Sequence, residues 1–522
     1  MISVPQRLLG EALLNSAARN PSKTAVIFDN KEYTYSEFRE SALKIATSLL
    51  SAGLKKGDRV AVFLNNSWEN VISIYGISLA GGVFIVINPQ TKADKLQYIL
   101  RNSGARILIS GNILSNTLSK ALDSNGIIEN LILSGESGKI NLKASVSIRS
   151  FEDILTDEIT GTILPGVIPV DLAALIYTSG STGFPKGVMM THQSMVFTCW
   201  SLIEYLRLSE DERIILLLPL AFDYGLYQLL MTVTIGGTLI LEQSFSFPAT
   251  IYKRIELYQP TVFPGVPTMY AMMINTHKQT GLSFDCIEKV TNTAAALTQE
   301  YIPFLKAIFP RALIFKMYGL TECKRVCYLE PELLDKKPGS VGKAIPGTEV
   351  FILDQGGNPV STGEAGILHI RGPHIMAGYW NNEEQSREML KQGKIPGEKI
   401  LCSHDLFKAD EEGFLYFLGR TDDIIKTRGE KVSPLEIENV IYKIKGVREA
   451  AVIGVTDKIK GESIIAFVTL ADKGNITESH IMKTCIENLE LFMVPERIII
   501  LDEMPKSPNG KIDKLNLKKR FS

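Results

Sequence analysis

The chain has 522 residues, more than one ordinary domain needs, and a formal net charge of −1, with 45% hydrophobic and 22% charged residues. This composition argues against a disordered chain and against a basic surface for nucleic acids. The six cysteines form no C-x-x-C pair and do not cluster with the histidines, so we expect neither a zinc site nor disulfides. Neither a signal peptide nor an apolar run long enough to span a bilayer is visible, so we expect a soluble, cytoplasmic protein.

Strand and helix patterns alternate along the first third of the chain. Apolar spacing over Leu8–Ala18 predicts an amphipathic helix, and a strand pair around the turn Asp29-Asn30 follows it. Thr34 and Glu37 have the spacing of a capping box for a helix that runs to Leu50. Further strands are predicted at 59–64, 83–87, 107–110 and 132–133. The alternation predicts layers of parallel β-strands and α-helices.

The stretch Tyr177–Gly187, YTSGSTGFPKG, combines glycines, hydroxyl groups and one lysine directly after a predicted buried strand, 172–177. Its glycines permit backbone conformations that turn successive N–H groups inward, and Lys186 adds a mobile positive charge. We therefore predict a triphosphate-binding loop. Its candidate ligands are Thr178, Ser179, Gly180, Ser181, Thr182, Gly183 and Lys186.

Two other interpretations of this loop exist. A flexible Gly/Ser surface loop has a similar composition, but the strand-like flanks and the Pro-Lys-Gly ending argue against it. The P-loop of kinases and NTPases requires a Ser or Thr after its lysine, whereas Lys186 is followed by Gly187.

The loop sequence resembles the phosphate loop of the adenylate-forming superfamily, which includes acyl- and aryl-CoA ligases, amino-acid adenylation domains and luciferases. A second stretch, MYGLTE at 317–322, resembles another motif of that superfamily. The resemblance implies that Tyr318 offers a ring for adenine stacking, Thr321 a hydroxyl for the α-phosphate and Glu322 an oxygen ligand for Mg²⁺. Gly319 belongs to the same nucleotide-binding motif.

Asp223, in the segment 217–230, has two interpretations. One is the N-cap of the following helix, a frequent role of Asp. The other comes from the resemblance, because amino-acid adenylation domains carry an Asp here that pairs with the substrate ammonium, whereas acyl and aryl ligases often carry His or an aromatic residue. The resemblance also places four further residues beside the substrate, namely Tyr224, Tyr227, Thr293 and Ala295.

The ribose site is expected near Asp405. This residue resembles the carboxylate that holds both ribose hydroxyls, although His404 replaces the glycine that usually precedes it. Arg420 resembles the arginine near ribose and phosphate.

The C-terminal landmarks imply a second domain. Asp422 resembles the hinge about which a small domain rotates, Gly429 the glycine of a thiol tunnel, and Lys511 the lysine that swings into the active site. The resemblance thus implies an α/β fold in three parts: a large N-terminal domain of β/α layers with a small barrel-like part, residues 1–418; a hinge, 419–422; and a small mobile α+β domain, 423–522.

The resemblance implies a two-step ligase that uses ATP, Mg²⁺ and coenzyme A. A substrate carboxylate attacks the α-phosphorus of ATP and releases pyrophosphate, and a thiol then attacks the acyl-adenylate and releases AMP. Three alternatives stay open: loading of an amino or other acid onto the phosphopantetheine of a carrier protein, a luciferase-like oxygenase, and a catalytically silent nucleotide-binding module. The joint retention of Lys186, Glu322, Asp405 and Lys511 argues against the silent module. We expect a small carboxylic acid as substrate, without a nucleic-acid partner.

Overall fold

A computed structural model describes residues 6–122, 127–135, 146–159, 164–178, 185–243, 245, 248–292, 297, 299–421, 423–427, 430–457, 461–471, 476–507 and 511–521. The elements of the first part, in chain order, are α1 (Leu9–Arg19), β1 (Thr24–Phe28), β2 (Lys31–Thr34), α2 (Tyr35–Ser51), β3 (Arg59–Phe63), α3 (Trp68–Leu79), β4 (Val83–Val86), α4 (Ala93–Ser103), β5 (Ile107–Gly111), α5 (Ser115–Leu122), β6 (Asn130–Ser134), β7 (Ser147–Ser150), α6 (Phe151–Thr156), β8 (Leu172–Thr178), β9 (Lys186–Thr191) and α7 (His192–Tyr205).

The middle part contains β10 (Arg213–Leu216), α8 (Asp223–Ile235), β11 (Thr238–Leu241), α9 (Pro248–Tyr258), β12 (Val262–Gly265), α10 (Pro267–Thr280), β13 (Lys289–Asn292), α11 (Ile302–Ile308), β14 (Leu313–Tyr318), β15 (Cys327–Leu329), β16 (Lys343–Ala344), β17 (Glu349–Leu353), β18 (Gly366–Arg371), β19 (Gly378–Tyr379), α12 (Glu383–Met389), β20 (Leu390–Gln392), β21 (Lys399–Ala409) and β22 (Leu415–Arg420). The last part contains β23 (Ile425–Thr427), β24 (Glu430–Val432), α13 (Pro434–Tyr442), β25 (Val447–Asp457), β26 (Gly461–Leu470), α14 (Glu478–Asn488), β27 (Arg497–Ile500) and α15 (Lys514–Phe521).

Two large, mainly parallel sheets organise the chain up to residue 379. Their strand orders are β16-β15-β14-β13-β12-β10-β11-β1-β2 and β19-β9-β8-β4-β3-β5-β6-β7. Both faces of each sheet are apolar, as β10 shows: Ile214 and Leu216 join one buried cluster, and Ile215 joins another. Helices α1–α3, α7 and α8 share a core with both sheets, whereas α9–α11 cover the first sheet and α4 and α5 cover the second. The predicted β/α layers are confirmed.

Two smaller sheets follow. Residues 349–420 form an antiparallel sheet of order β17-β18-β21-β20, with β22 paired to β21. Residues from 425 onward form a sheet of order β24-β23-β26-β25, with β27 parallel to β26. Helices α13 and α14 pack on one face of the last sheet and α15 packs on the other. The predicted fold class, α/β layers with a smaller α+β part at the C-terminus, is confirmed.

Local sequence signals fix several element boundaries. Thr34 is the N-cap of α2, and its side chain and that of Glu37 form the predicted capping box. Asp29 and Asn30 form the predicted turn with φ values of 49° and 63°, a region that Asp and Asn tolerate. Within the described residues, no helix combines the length and apolarity that a bilayer crossing requires.

Candidate active site

The predicted phosphate loop is the connection of a β-hairpin. β8 ends at Thr178 and β9 begins at Lys186, and these two residues lie opposite each other in the antiparallel pair. The first strand is therefore one residue longer than predicted, and the loop leads into a strand, unlike the helix that follows a P-loop. The other candidate phosphate ligands lie outside the described residues: Ser179, Gly180, Ser181, Thr182 and Gly183.

Lys186 is linked to Glu322 through an aromatic ring. Lys186 Nζ lies 5.6 Å from the centre of the Tyr379 ring, and the Tyr379 hydroxyl donates a hydrogen bond of 2.7 Å to Glu322 Oε1. The backbone fixes this arrangement, because Tyr379 pairs with Val188 between β19 and β9, and the Met376 N–H donates to the Glu322 carbonyl. The structure therefore brings the predicted phosphate lysine and the predicted metal carboxylate to one place.

The MYGLTE motif comprises the last two residues of β14 and the turn that follows, at the carboxyl end of a parallel strand, where open α/β sheets bind ligands. Gly319 is required in this turn, because a Cβ there would lie 2.2 Å from the Lys324 carbonyl oxygen. The Tyr318 ring packs edge-on against Phe407, with 4.9 Å between ring centres, and Thr321 is half-buried. Their roles toward adenine and the α-phosphate stay predictions.

Asp405 is buried between two of the predicted site residues. Its carboxylate accepts a hydrogen bond from the Tyr318 hydroxyl, and its Oδ1 lies 3.5 Å from Arg420 Nε, which faces it across β21 and β22. Burial raises the pKa of Asp405 to about 6, although Tyr318 and Arg420 both lower it. Oδ1 accepts no hydrogen bond within the described part of the chain, so it fits the expected ribose hydroxyl donor.

His404 adopts a glycine-like backbone conformation. Its φ is 55°, in the left-handed region, and its carbonyl accepts hydrogen bonds of 2.9 Å from both the N–H and the Oγ1 of Thr421. The histidine thus occupies a backbone conformation that glycine adopts more readily.

The interpretation of Asp223 as an N-cap is wrong. Helix α8 begins at Asp223, its N-cap is Phe222, and no side chain caps it. Asp223 Oδ2 instead lies 3.5 Å from Nζ of Lys324, whose side chain is 2% exposed. Burial lowers the pKa of Lys324, and the charge of Asp223 opposes this by favouring the ammonium form.

Tyr224 and Tyr227 surround the same ammonium. Lys324 Nζ lies 5.1 Å from the centre of each ring. The Tyr224 hydroxyl donates a 2.8 Å hydrogen bond to the Thr291 carbonyl, which fixes its ring. The other two predicted pocket residues, Thr293 and Ala295, lie outside the described residues.

Lys511 reaches this site from the C-terminal part of the chain. The residue retains solvent exposure, yet desolvation of its ammonium lowers the pKa of Lys511. The charged groups that act on this ammonium are Asp223, Arg420, Asp405 and Glu322. Candidates separated by up to about three hundred residues of chain therefore converge. Two further candidates, Asp422 of the hinge and Gly429 of the thiol tunnel, lie outside the described residues.

Sequence reasoning missed Tyr379 and Lys324. Tyr379 lies outside the motifs that marked the candidate site residues, so nothing local indicated its contact with Glu322. Lys324 stands two positions after the MYGLTE motif, and this position was the one available signal. Its pairing with Asp223 joins distant parts of the chain and is not visible in a local pattern.

Two family models match the chain. Residues 13–380 match the model described as AMP-binding enzyme, and residues 436–511 match the AMP-binding enzyme C-terminal domain. The chain belongs to the AMP-binding enzyme family. The predicted membership in the adenylate-forming superfamily is thereby confirmed.

Similar proteins of this family include acyl-CoA ligases by name. A long-chain-fatty-acid–CoA ligase of Bacillus subtilis (strain 168) is 30% identical, over 98% of this chain and 94% of the relative. A feruloyl-CoA synthase of Amycolatopsis sp. is 30% identical, over 98% of this chain and 99% of the relative.

Solved structures give the same assignment. The anthranilate CoA ligase AuaEII in complex with anthranoyl-AMP matches with a TM-score of 0.89 and 26% identity, covering 99% of this chain and 98% of that chain. ATP-bound MatB from Rhodopseudomonas palustris matches with a TM-score of 0.85 and 26% identity, covering 99% of both chains. The predicted enzyme class, an AMP-forming ligase of the acyl-CoA synthetase type, and its reaction class, adenylation followed by acyl transfer to coenzyme A, are confirmed.

Proposed function

We propose that this AMP-binding enzyme joins a small carboxylic acid to coenzyme A in two steps, with its own residues in the roles that follow. In the first step a carboxylate oxygen attacks the α-phosphorus, the bond to pyrophosphate breaks, and an acyl-adenylate forms. In the second step the thiol sulfur attacks the acyl carbon, and the bond to AMP breaks. The chain supplies positioning and charge, and no side chain acts as a nucleophile.

The observation that carries this proposal is the convergence on Lys511. Its ammonium lies within electrostatic range of the carboxylates of Asp223, Asp405 and Glu322, which come from three separate segments of the chain. An ammonium in this position can stabilise negative charge that moves from the carboxylate to the α-phosphate in the transition state. We assign Lys511 and Lys186 to the phosphates.

Magnesium is assigned to Glu322. Its Oε1 is oriented by the Tyr379 hydroxyl, and hard carboxylate oxygens suit Mg²⁺. In the described parts of the chain, no group of three or more His, Cys, Asp or Glu side chains can hold a metal by itself. This donor set fits an ion that phosphate oxygens also bind, as Mg²⁺ commonly does. When bound with the nucleotide, the ion would neutralise phosphate charge.

The domain boundaries and the acceptor belong to the same proposal. We assign residues 1–418 to the large domain, 419–422 to the hinge and 423–522 to the mobile domain, with Gly429 beside the incoming thiol. Coenzyme A is the proposed acceptor, and a carrier-protein phosphopantetheine is the alternative. That alternative drew support from Asp223 as an ammonium ligand, and the ion pair of Asp223 with Lys324 weakens it. A cytoplasmic location stays a prediction from composition.

The proposal is tested by ATP–pyrophosphate exchange with a panel of fatty, aromatic and amino acids. We expect exchange with at least one acid, and formation of its CoA thioester in the full reaction. Lys186→Ala and Glu322→Ala should each suppress exchange by about 10²–10³-fold with every active acid, because each removes a charge that balances the polyphosphate. Glu332→Ala, which removes a surface carboxylate paired with Arg207, is the control and should retain exchange. No exchange with any acid in the wild type would overturn the proposed function.

A further inference from the structure

An ion pair between a buried lysine and a half-buried aspartate lies next to the MYGLTE turn and has no role in the two-step chemistry. Asp223 Oδ2 and Lys324 Nζ are 3.5 Å apart, and their side chains are 24% and 2% exposed. The buried charge in this pair is the ammonium of Lys324, which needs a compensating anion, and Asp223 supplies it.

The backbone of Lys324 and two tyrosine rings hold its ammonium at Asp223. Lys324 has a φ of 62°, a left-handed conformation that is unfavourable for a lysine, and its carbonyl is in close approach to Gly319. Its ammonium lies over the rings of Tyr224 and Tyr227, which favour a cation. Backbone strain combined with two ring contacts indicates a fixed position for Nζ at Asp223.

Asp223 also marks the place of the substrate. Its partner Lys324 stands two residues after Glu322, and the Lys324 carbonyl packs against Gly319, so the pair lies next to the turn that carries the groups assigned to the α-phosphate and Mg²⁺. An ammonium on the α-carbon of an acid is only one carbon removed from the carboxylate that reacts. An α-amino acid would therefore bring its ammonium close to the Asp223 carboxylate. That carboxylate is already paired with the ammonium of Lys324.

We propose that Lys324 is a specificity-determining residue that takes the place of a substrate ammonium at Asp223, so that the enzyme selects acids without an α-ammonium group. This inference rests on the proposed function. The ammonium of an α-amino acid would be repelled by the ammonium of Lys324 and would find the Asp223 carboxylate already paired. An acid without the amine would contact an ion pair whose charges cancel.

The test compares matched acids that differ only in the α-amine, such as 3-phenylpropanoate with phenylalanine and hexanoate with norleucine, by ATP–pyrophosphate exchange. The wild type should favour the acid without the amine in every active pair. Lys324→Met keeps the length of the side chain and removes its charge, so it should lower exchange with the plain acid and shift the kcat/KM ratio toward the amino acid at least tenfold, because Asp223 is then unpaired. Asp223→Asn combined with Lys324→Met should restore the preference for the plain acid.

Lys289→Met is the matched control. Lys289 forms another buried ion pair, 2.6 Å from Glu212, at the opposite end of β13 from the site. This variant should leave the ratio unchanged, and thermal unfolding and AMP binding verify that each variant is folded. A wild type that prefers the amino acid, or a folded Lys324→Met variant with an unchanged kcat/KM ratio, would overturn the inference. The proposed function would still hold in either case, because the enzyme would still catalyse ATP–pyrophosphate exchange with an acid. If Lys324→Met does not fold, two other measurements test the inference: the wild type and the variant that combines Asp223→Asn with Lys324→Met should both prefer the acid without the amine. Absence of exchange with all acids would overturn both.

Discussion

Each carboxylate of the site has its own partner. Asp405 is held by the Tyr318 hydroxyl and Arg420, Glu322 by the Tyr379 hydroxyl, and Asp223 by Lys324. Fixed partners orient these groups before a nucleotide arrives, so that little reorganisation is needed during the reaction.

The raised pKa of Asp405 predicts a pH-dependent nucleotide affinity. Because burial raises this pKa to about 6, the folded protein takes up a proton at Asp405 more readily than the unfolded chain, and the contribution of Asp405 to stability falls as the pH rises toward about 6. Ribose hydroxyls donate to the ionised carboxylate, so nucleoside binding should strengthen over the same rise in pH. Adenosine, which has no phosphate to titrate, should bind about tenfold more weakly near pH 5 than near pH 7.5 by calorimetry.

Two controls accompany this measurement. Asp405→Asn should bind adenosine weakly at both pH values, and 2′,3′-dideoxyadenosine should show little pH dependence with the wild type, because it lacks the two hydroxyls. Equal adenosine affinities for the wild type at both pH values would contradict the assignment of Asp405.

Single residues show where sequence reasoning succeeds and where it ends. Thr178 and Lys186 could be placed because their loop follows a predicted strand, whereas Tyr318 and Glu322 were assigned through the family resemblance of the MYGLTE motif. Lys324 could not be placed, because its role depends on a partner about a hundred positions away in the chain.

At the scale of elements, short apolar runs that alternate with helical patterns predicted strands of the β/α layers, and the capping box predicted the start of α2. The order of the strands in each sheet could not be predicted, because it depends on packing between distant elements. The end of β14 and the turn after it are the elements on which the site depends most, since they carry Tyr318, Thr321 and Glu322 and position Lys324.

Gly319→Ala should disrupt that turn. A Cβ would lie 2.2 Å from the Lys324 carbonyl oxygen, and backbone cannot yield as a flexible side chain does, so we expect a loss of about 1–3 kcal/mol in the free energy of unfolding together with weaker nucleotide binding. Gly166→Ala is the control, because its Cβ would meet no atom within 4 Å. Chemical denaturation and AMP titration measure both effects, and a Gly319→Ala variant as stable as Gly166→Ala would show that the turn can relax.

At the scale of the whole molecule, the C-terminal part contacts the rest of the chain at several places. The Ser433 hydroxyl donates to the Leu418 carbonyl, and Tyr301, next to α11, lies near enough to Glu449 and Arg448 of β25 for their charges to affect it. Together with Lys511 at the carboxylates, these contacts describe the arrangement that we assign to adenylation. Sequence analysis anticipated a separate C-terminal unit from the family resemblance, but it could not supply the contacts across the two parts.

If the C-terminal domain rotates about the proposed hinge between the two steps, Lys511 acts in one half-reaction only. Lys511→Ala should lower adenylate formation by about 10²–10³-fold, the usual effect of losing a charge contact in the transition state. Transfer of the acyl group from a presynthesised acyl-adenylate to coenzyme A should continue at a near-normal rate, because Lys511 would then be away from the site. Lys506→Ala, whose lysine is paired with Glu449 within the C-terminal part, should retain both rates.

The two half-reactions of Lys511→Ala, measured separately on the same preparation, test the central claim most directly. A loss confined to pyrophosphate exchange is the result that the account predicts. Equal losses in exchange and in thioester formation from the presynthesised adenylate would contradict it.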